Sequence, residues 1–181
     1  MNPLSELPLA LACGSTLAAA WFDARSGRIP NLITLPVLPL GLLLGALTDG
    51  IWGLGSAVLG ALLCLAVPYG LFHASRGSAI GGGDVKLFAA LGALLGPIAG
   101  LGVELSSLLV LAVVALLALA WRGQLFTWLK HTAELAWSWV LPEARRPPVA
   151  REQLLTMPLG PAICVATWGF ATLQHLPAFF F

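Results

Sequence analysis

Residues 85–121 read VKLFAALGALLGPIAGLGVELSSLLVLAVVALLALAW, an apolar run that contains only two charged side chains, Lys86 and Glu104. A single helix of this length would extend roughly 55 Å, far beyond the ~30 Å hydrocarbon core of a bilayer. The run therefore predicts a hairpin of two membrane-spanning helices. Because Glu104 is the only polar interruption inside it, the turn is predicted there.

The rest of the chain has the same apolar character. Of its 181 residues, 59% are hydrophobic and only 9% are charged, whereas soluble domains carry about 25% charged residues. Lipid must therefore be the solvent for much of the surface. The length suits a single domain over residues 1–181, and the net charge of +1 gives no sign of a nucleic-acid partner.

A second long apolar stretch is interrupted only by Thr48-Asp49-Gly50, which predicts a second hairpin. We therefore expect an all-α, polytopic membrane protein with about six transmembrane helices. The predicted spans are Leu7–Phe22, Leu32–Leu47, Ile51–Phe72, Val85–Val103, Leu105–Trp121 and Leu159–Leu176.

The charged residues give these spans an orientation. Every Lys and Arg falls in the loops that follow spans one, three and five, while the other side carries only Glu6, Asp49 and Glu104. Basic loops stay in the cytoplasm, which places both termini outside. The basic residues are Arg25, Arg28, Arg76, Lys86, Arg122, Lys130, Arg145, Arg146 and Arg151.

The loop at residues 122–157 is the least apolar stretch, and its polar side chains recur at helical spacing. This pattern predicts an amphipathic helix in the cytoplasmic interface, with a solvated loop as an open alternative for its second half.

No metal site or cofactor is expected. The three cysteines lie in apolar runs and are predicted to be buried apolar side chains, and the histidines are predicted at the interface; these residues are Cys13, Cys64, Cys164, His73, His131 and His175.

Two aspartates are the candidate functional residues. Asp23 ends span one, and Asp84 opens span four after Gly81-Gly82-Gly83. Since span one runs inward and span four runs outward, both carboxylates are expected at one depth on the cytoplasmic face. Carboxylates near the hydrocarbon boundary are costly and usually functional. Two such groups brought close do not both ionise easily, and the pair can activate a water against a peptide carbonyl.

The same residues allow a plainer interpretation. Asp84 could cap its helix, and the two aspartates could form surface ion pairs, Asp23 with Arg25 or Arg28 and Asp84 with Lys86. For the glycines before Asp84, we expect unusual dihedral angles and a close approach by an extended substrate. The recurring Gly92, Gly96 and Gly100 are predicted to serve helix packing.

Three segments together resemble one known family. They are Asp23-Ala24-Arg25-Ser26-Gly27-Arg28-Ile29-Pro30-Asn31, Gly81-Gly82-Gly83-Asp84-Val85-Lys86 and Met157-Pro158-Leu159-Gly160-Pro161. With the span count and the orientation, they make the chain resemble the type IV prepilin peptidases, the G-x-G-D class of membrane aspartic proteases.

The resemblance implies a role for each motif residue. Asp23 and Asp84 would be the catalytic pair. Motif or substrate-positioning roles would fall to Gly81, Gly82, Gly83, Lys86, Arg28, Pro30 and Asn31, with the last two shaping the turn and capping span two. The implied substrates are prepilins or pseudopilins, each with a basic leader, a glycine before the cut and an apolar helix after it. The implied location is the bacterial inner membrane, with the site facing the cytoplasm.

Larger members of that family carry a cytoplasmic insert with paired C-x-x-C motifs and methylate the new N-terminus. The chain has neither the insert nor the paired cysteines, so N-methylation is not expected. This compact form resembles the short peptidases of tight-adherence (Flp) pili. Two other classes remain open on the residues alone: a small proton- or cation-coupled transporter subunit, and a catalytically idle scaffold subunit.

Overall fold

The computed structural model describes residues 3–75, 80–123 and 159–175, and these residues are almost entirely helical. The helices are α1 (Pro3–Ser26), α2 (Asn31–Ala74), α3 (Gly82–Trp121) and α4 (Gly160–His175). The described ranges contain no strand, which confirms the all-α prediction. The amphipathic helix predicted over residues 122–157 lies almost wholly outside the described residues.

Three of these helices are long and apolar enough to cross a membrane: Glu6–Ser26 within α1, and the whole of α2 and α3. Their surfaces carry large apolar side chains, since Leu32, Trp52 and Ile98 are all more than four-fifths exposed. Such surfaces are expected of helices that face lipid. The structure therefore supports the prediction of a helical membrane protein.

Helix α2 reverses direction at the predicted place. Asp49 and Gly50 leave the helical region, and Gly50 adopts φ 59°, a left-handed conformation that glycine tolerates without strain. A Cβ atom on Gly45 would lie 2.7 Å from the carbonyl oxygen of Gly53. In a straight helix these residues would stand about 12 Å apart, so their contact shows that the two arms fold back on each other.

Helix α3 reverses at Gly96 rather than at Glu104, so the predicted position of this turn was wrong. Gly96 has φ 78° and ψ 177°, and Pro97 follows it. A Cβ atom on Gly100 would lie 2.9 Å from the Cα atom of Gly92, which places the two arms against each other. Glu104 lies within the second arm and is only 2% exposed.

The depth of this turn explains why no polar residue marks it. Gly41 of α2 contacts Ala93 of α3. Beyond that level α2 continues for eight residues to Asp49, about 12 Å, whereas α3 continues for three residues to Gly96, about 4–5 Å. The α3 turn therefore lies several ångströms below the α2 turn and is flanked by apolar residues.

The first arm of α3 is the centre of the fold. Every residue from Asp84 to Leu94 except Lys86 is buried. Gly60 of α2 meets Gly92 so closely that a Cβ atom on either would overlap the other's carbonyl oxygen, so small residues permit the approach as predicted.

Helix α1 packs against α4 and α2. Described residues up to Val110 and from 159 onward belong to one compact unit, and those from Leu111 to Gly123 belong to another.

Candidate active site

Asp23 lies one turn before the end of α1 and is 7% exposed. Its Oδ2 atom accepts a hydrogen bond from the backbone N–H of Gly160 at 2.8 Å. Gly160 is the first residue of α4, where backbone N–H groups lack helical partners and the helix dipole favours a negative charge. A Cβ atom on Gly160 would stand 2.8 Å from the Cβ of Asp23, so only glycine allows this approach.

Asp84 lies in the first turn of α3 and is 9% exposed. Its Oδ2 atom accepts a hydrogen bond from the backbone N–H of Gly81 at 3.2 Å, while the Gly81 carbonyl accepts the N–H groups of Asp84 and Val85 at 3.1 and 3.3 Å. This arrangement is the backward half of a capping box. The Oδ1 atom of Asp84 is buried and has no hydrogen-bond partner among the described residues.

The two carboxylates belong to one site. Asp84 experiences the repulsive charge of Asp23, although the two residues are far apart in sequence. The end of α1 supplies one carboxylate, the start of α3 supplies the other, and the start of α4 fixes the first of them. These helix ends therefore bring the two carboxylates near each other.

The surface ion pairs of the plainer interpretation are not found in the described part of the chain. Arg25 stacks over the ring of Trp21 at 4.2 Å, and the Nζ atom of Lys86 donates to the Oδ1 atom of Asn31 at 2.8 Å. Arg28 is exposed. Because both aspartates are buried and bonded to backbone N–H groups, they are not solvated helix-end charges.

Of the three glycines before Asp84, Gly83 serves packing inside the protein. A Cβ atom on Gly83 would lie 2.9 Å from both the Cβ and the carbonyl oxygen of Ile29, whereas one on Gly82 would make only an ordinary contact with Phe72 at 3.8 Å. None of Gly81, Gly82 and Gly83 has a positive φ. The prediction of unusual dihedral angles was therefore wrong as far as left-handed backbone is concerned. Gly83 lets the start of α3 rest directly on the chain before α2.

Asn31 was predicted to help cap α2, but it does not occupy the N-cap position. Pro30 occupies the N-cap position with φ −65° and ψ 139°, and it offers no side-chain hydrogen bond. The Asn31 side chain instead accepts the bond from Lys86. These two exposed residues thereby tie the first motif to the second on the surface of the site.

Residues 10–130 match the sequence pattern of the type IV leader peptidase family. The chain belongs to this family. Over 121 residues it is 40% identical to a prepilin leader peptidase/N-methyltransferase of Burkholderia pseudomallei (strain 1026b), a match that covers 62% of this chain and 37% of that protein.

Other relatives give the same indication. The chain is 46% identical over 97 residues to a prepilin leader peptidase/N-methyltransferase of Dickeya chrysanthemi, covering 51% of this chain and 34% of the relative. It is 36% identical over 88 residues to leader peptidase HopD of Escherichia coli, covering 45% and 54%. The chain thus aligns with about a third to a half of the length of these relatives. No solved structure matches it.

In this leader peptidase family member, the sequence did not indicate the surroundings of three residues near or beyond the motifs. Gly160 was noted only as part of a Pro-rich segment, and its bond to Asp23 could not be foreseen because the partner lies far away in sequence. Thr34 is 1% exposed and its hydroxyl has no partner among the described residues. Glu104 lies deep in the fold, near the thiol of Cys64.

The described residues contain no group of three metal-ligating side chains. The candidate site offers, on its own residues, a pair of buried carboxylates with different surroundings. Asp23 is held by a helix N-terminus, and Asp84 has one bonded oxygen and one free buried oxygen. Such an arrangement can bind a water and exchange protons with it.

Proposed function

We propose that the chain is a membrane aspartic endopeptidase that removes the basic leader from type IV prepilins or pseudopilins. The observation that carries this proposal is the buried pair of Asp23 and Asp84 in a member of the type IV leader peptidase family. The names of its relatives in Burkholderia, Dickeya and Escherichia support the same activity. Nothing observed favours the transporter or the scaffold alternative.

The proposed reaction needs only the two carboxylates and a water. The ionised carboxylate takes a proton from water as its oxygen attacks the peptide carbonyl, and the protonated carboxylate donates a hydrogen bond to the developing oxyanion. Collapse of the tetrahedral intermediate breaks the C–N bond, and a proton from the pair goes to the leaving amine. Base and acid are both supplied by the pair, so the chemistry calls for no metal or cofactor.

For the topology, we propose six spans: α1, the two arms of α2, the two arms of α3, and α4. The positive-inside distribution then sets both termini outside and the dyad at the cytoplasmic face of the bacterial inner membrane. The α2 reversal at Asp49 and the α3 reversal at Gly96 support this arrangement, since each converts one long helix into two antiparallel arms.

The substrate geometry fits such a site. The apolar helix of the precursor would lie in the bilayer beside the enzyme, and the basic leader would remain in the cytoplasm near the dyad. Cleavage at the rim requires only a local unwinding of the substrate, at a depth where water is available. Lys86 and Asn31 lie exposed beside the dyad and belong to the surface that such a leader would meet.

The test is co-expression of the chain with a prepilin, followed by the mobility shift that accompanies leader loss. Asp23→Asn and Asp84→Asn are each expected to slow processing by at least about 100-fold, the usual contribution of a general acid or base. Asp49→Asn is the matched control, because Asp49 is exposed in the α2 turn and its variant should process at the wild-type rate. Full activity of either dyad variant would refute the proposal.

A further inference from the structure

Thr34 differs from the other buried hydroxyl-bearing residues among the described helices. Thr16, Thr48, Thr167, Thr172, Ser106 and Ser107 each donate a hydrogen bond to a carbonyl three or four residues earlier. The Thr34 hydroxyl makes no such bond and has no other partner among the described residues, although the residue is only 1% exposed. A buried hydroxyl without a partner is costly, so its partner is expected to be a group that the described chain does not supply.

The position of Thr34 is fixed by contacts on both sides of it. Ile29 touches Gly83, and Asn31 accepts a hydrogen bond from Lys86, both at the start of α3. Further along, Gly41 touches Ala93. The first arms of α2 and α3 therefore run side by side in the same direction, and Thr34 lies between these contacts.

The face of α2 that carries Thr34 is the face that packs on α3. Thr34, Val37 and Gly41 follow the spacing of one helix face, and all three are buried. Gly41 on this face contacts α3 directly, so Thr34, seven residues earlier on the same face, lies at the level of the first turns of α3. Those turns carry Asp84, whose Oδ1 atom is the other buried side-chain atom without a described partner at this end of the fold.

We propose that Thr34 orients the attacking water, which its hydroxyl binds together with the Oδ1 atom of Asp84; this step rests on the proposed peptidase function. A buried water needs two to four polar partners, and the Thr34 hydroxyl and the two carboxylates supply three. The hydroxyl can donate and accept at once. It therefore holds the water with a lone pair toward the scissile carbonyl, while a carboxylate takes the proton and Thr34 itself neither gains nor loses one.

The test compares Thr34→Val with Thr34→Ser and with a matched control in purified protein in liposomes, using a prepilin substrate. Valine keeps the shape and removes the hydroxyl, and serine keeps the hydroxyl. Thr167→Val is the control, because Thr167 is fully buried and its hydroxyl donates within its own helix to Ile163 at 2.8 Å. Both kcat and KM are measured, together with the thermal unfolding midpoint.

Thr34→Val is expected to lower kcat by roughly 10–100-fold with KM unchanged, since misplacement of a reacting group by about 1 Å can cost 100-fold. Its unfolding midpoint should not fall, because the lost hydroxyl has no described partner within the protein. Thr34→Ser should recover most of the rate, and Thr167→Val should keep kcat near wild type.

Two results would overturn the inference: wild-type kcat in Thr34→Val, or a lowered unfolding midpoint in Thr34→Val with no recovery of rate in Thr34→Ser. The proposed function fails separately. If Asp23→Asn keeps its activity, or if the wild-type protein leaves the precursor intact, the peptidase assignment is wrong. If both dyad variants are inactive while Thr34→Val turns over normally, only the role of Thr34 is wrong.

Discussion

The two ends of the helical bundle carry their acidic residues in opposite ways. Where α1 finishes and α3 and α4 begin, Asp23 and Asp84 are buried and bonded to backbone N–H groups. At the other end, Asp49 is exposed in the α2 turn, and the sequence from Val85 to Val103 around the α3 turn at Gly96 contains no acidic residue. An acidic residue in a turn is ordinary, whereas two that are withdrawn from solvent onto converging helix ends are typical of a functional site.

Glycine is used differently at the two ends as well. At the dyad end, Gly83 and Gly160 permit close approach and hold helices against each other. At the far end, Gly50 and Gly96 supply positive φ angles for chain reversal. Substitutions at the dyad end should therefore reduce activity most, and substitutions at the far end should mainly reduce stability.

Among the glycine substitutions, the largest effect is expected for Gly160→Ala. The new Cβ atom would collide with Asp23 and displace its carboxylate from the N–H group at the start of α4. Leader cleavage should fall by about 100-fold or more. Gly169→Ala in the same helix is the control, because nothing lies within 4 Å of that position, and alanine there should be neutral or stabilising. Equal cleavage rates for the two variants would show that Asp23 does not depend on α4.

Gly83→Ala should have the next largest effect, since its Cβ atom would meet the backbone of Ile29. Overpacking of this kind costs about 1–3 kcal/mol, and the shift of the α3 start would move Asp84. The neighbouring Gly82→Ala meets only the edge of Phe72 at contact distance and should be tolerated. Cleavage rate and thermal unfolding measured side by side would expose the error if Gly82→Ala proved the more harmful.

The two chain reversals, at Gly50 and at Gly96, differ in how well the sequence could predict them. The reversal at Asp49-Gly50 was predictable because a polar residue and a glycine interrupt an apolar run. The reversal at Gly96 was not, because it lies within apolar surroundings and depends on backbone conformation rather than polarity. The turn was instead predicted at Glu104, because this residue is charged.

At the site, the distribution of basic residues among the loops was enough to predict that Asp23 and Asp84 lie on one face of the membrane. The bond from Gly160 and the position of Thr34 depend on tertiary contacts, which no local pattern encodes. Asn31 shows the same limit. Its residue type favours capping, yet a partner 55 positions away takes its side chain.

The smallest effect on catalysis is expected at the far end. Gly96→Ala places a side chain at φ 78° and ψ 177°, a region that only glycine occupies readily, at a cost of about 1–3 kcal/mol. Thermal unfolding should show that loss, while the surviving folded protein cleaves with near-normal kcat. The control is Gly102→Ala, which has open space around it. A turn located at Glu104 instead would leave Gly96→Ala as stable as the control.

The most direct test of the central claim is mass spectrometry of a synthetic prepilin after incubation with the purified protein and a metal chelator. The account predicts two fragments from the wild-type protein, a leader ending in glycine and the mature chain. It predicts the intact precursor from Asp23→Asn, from Asp84→Asn and from a mixture of the two, because one chain supplies both carboxylates. Cleavage by either single variant at the wild-type rate, or loss of wild-type cleavage on chelation, would contradict a dyad that acts through Asp23 and Asp84 alone.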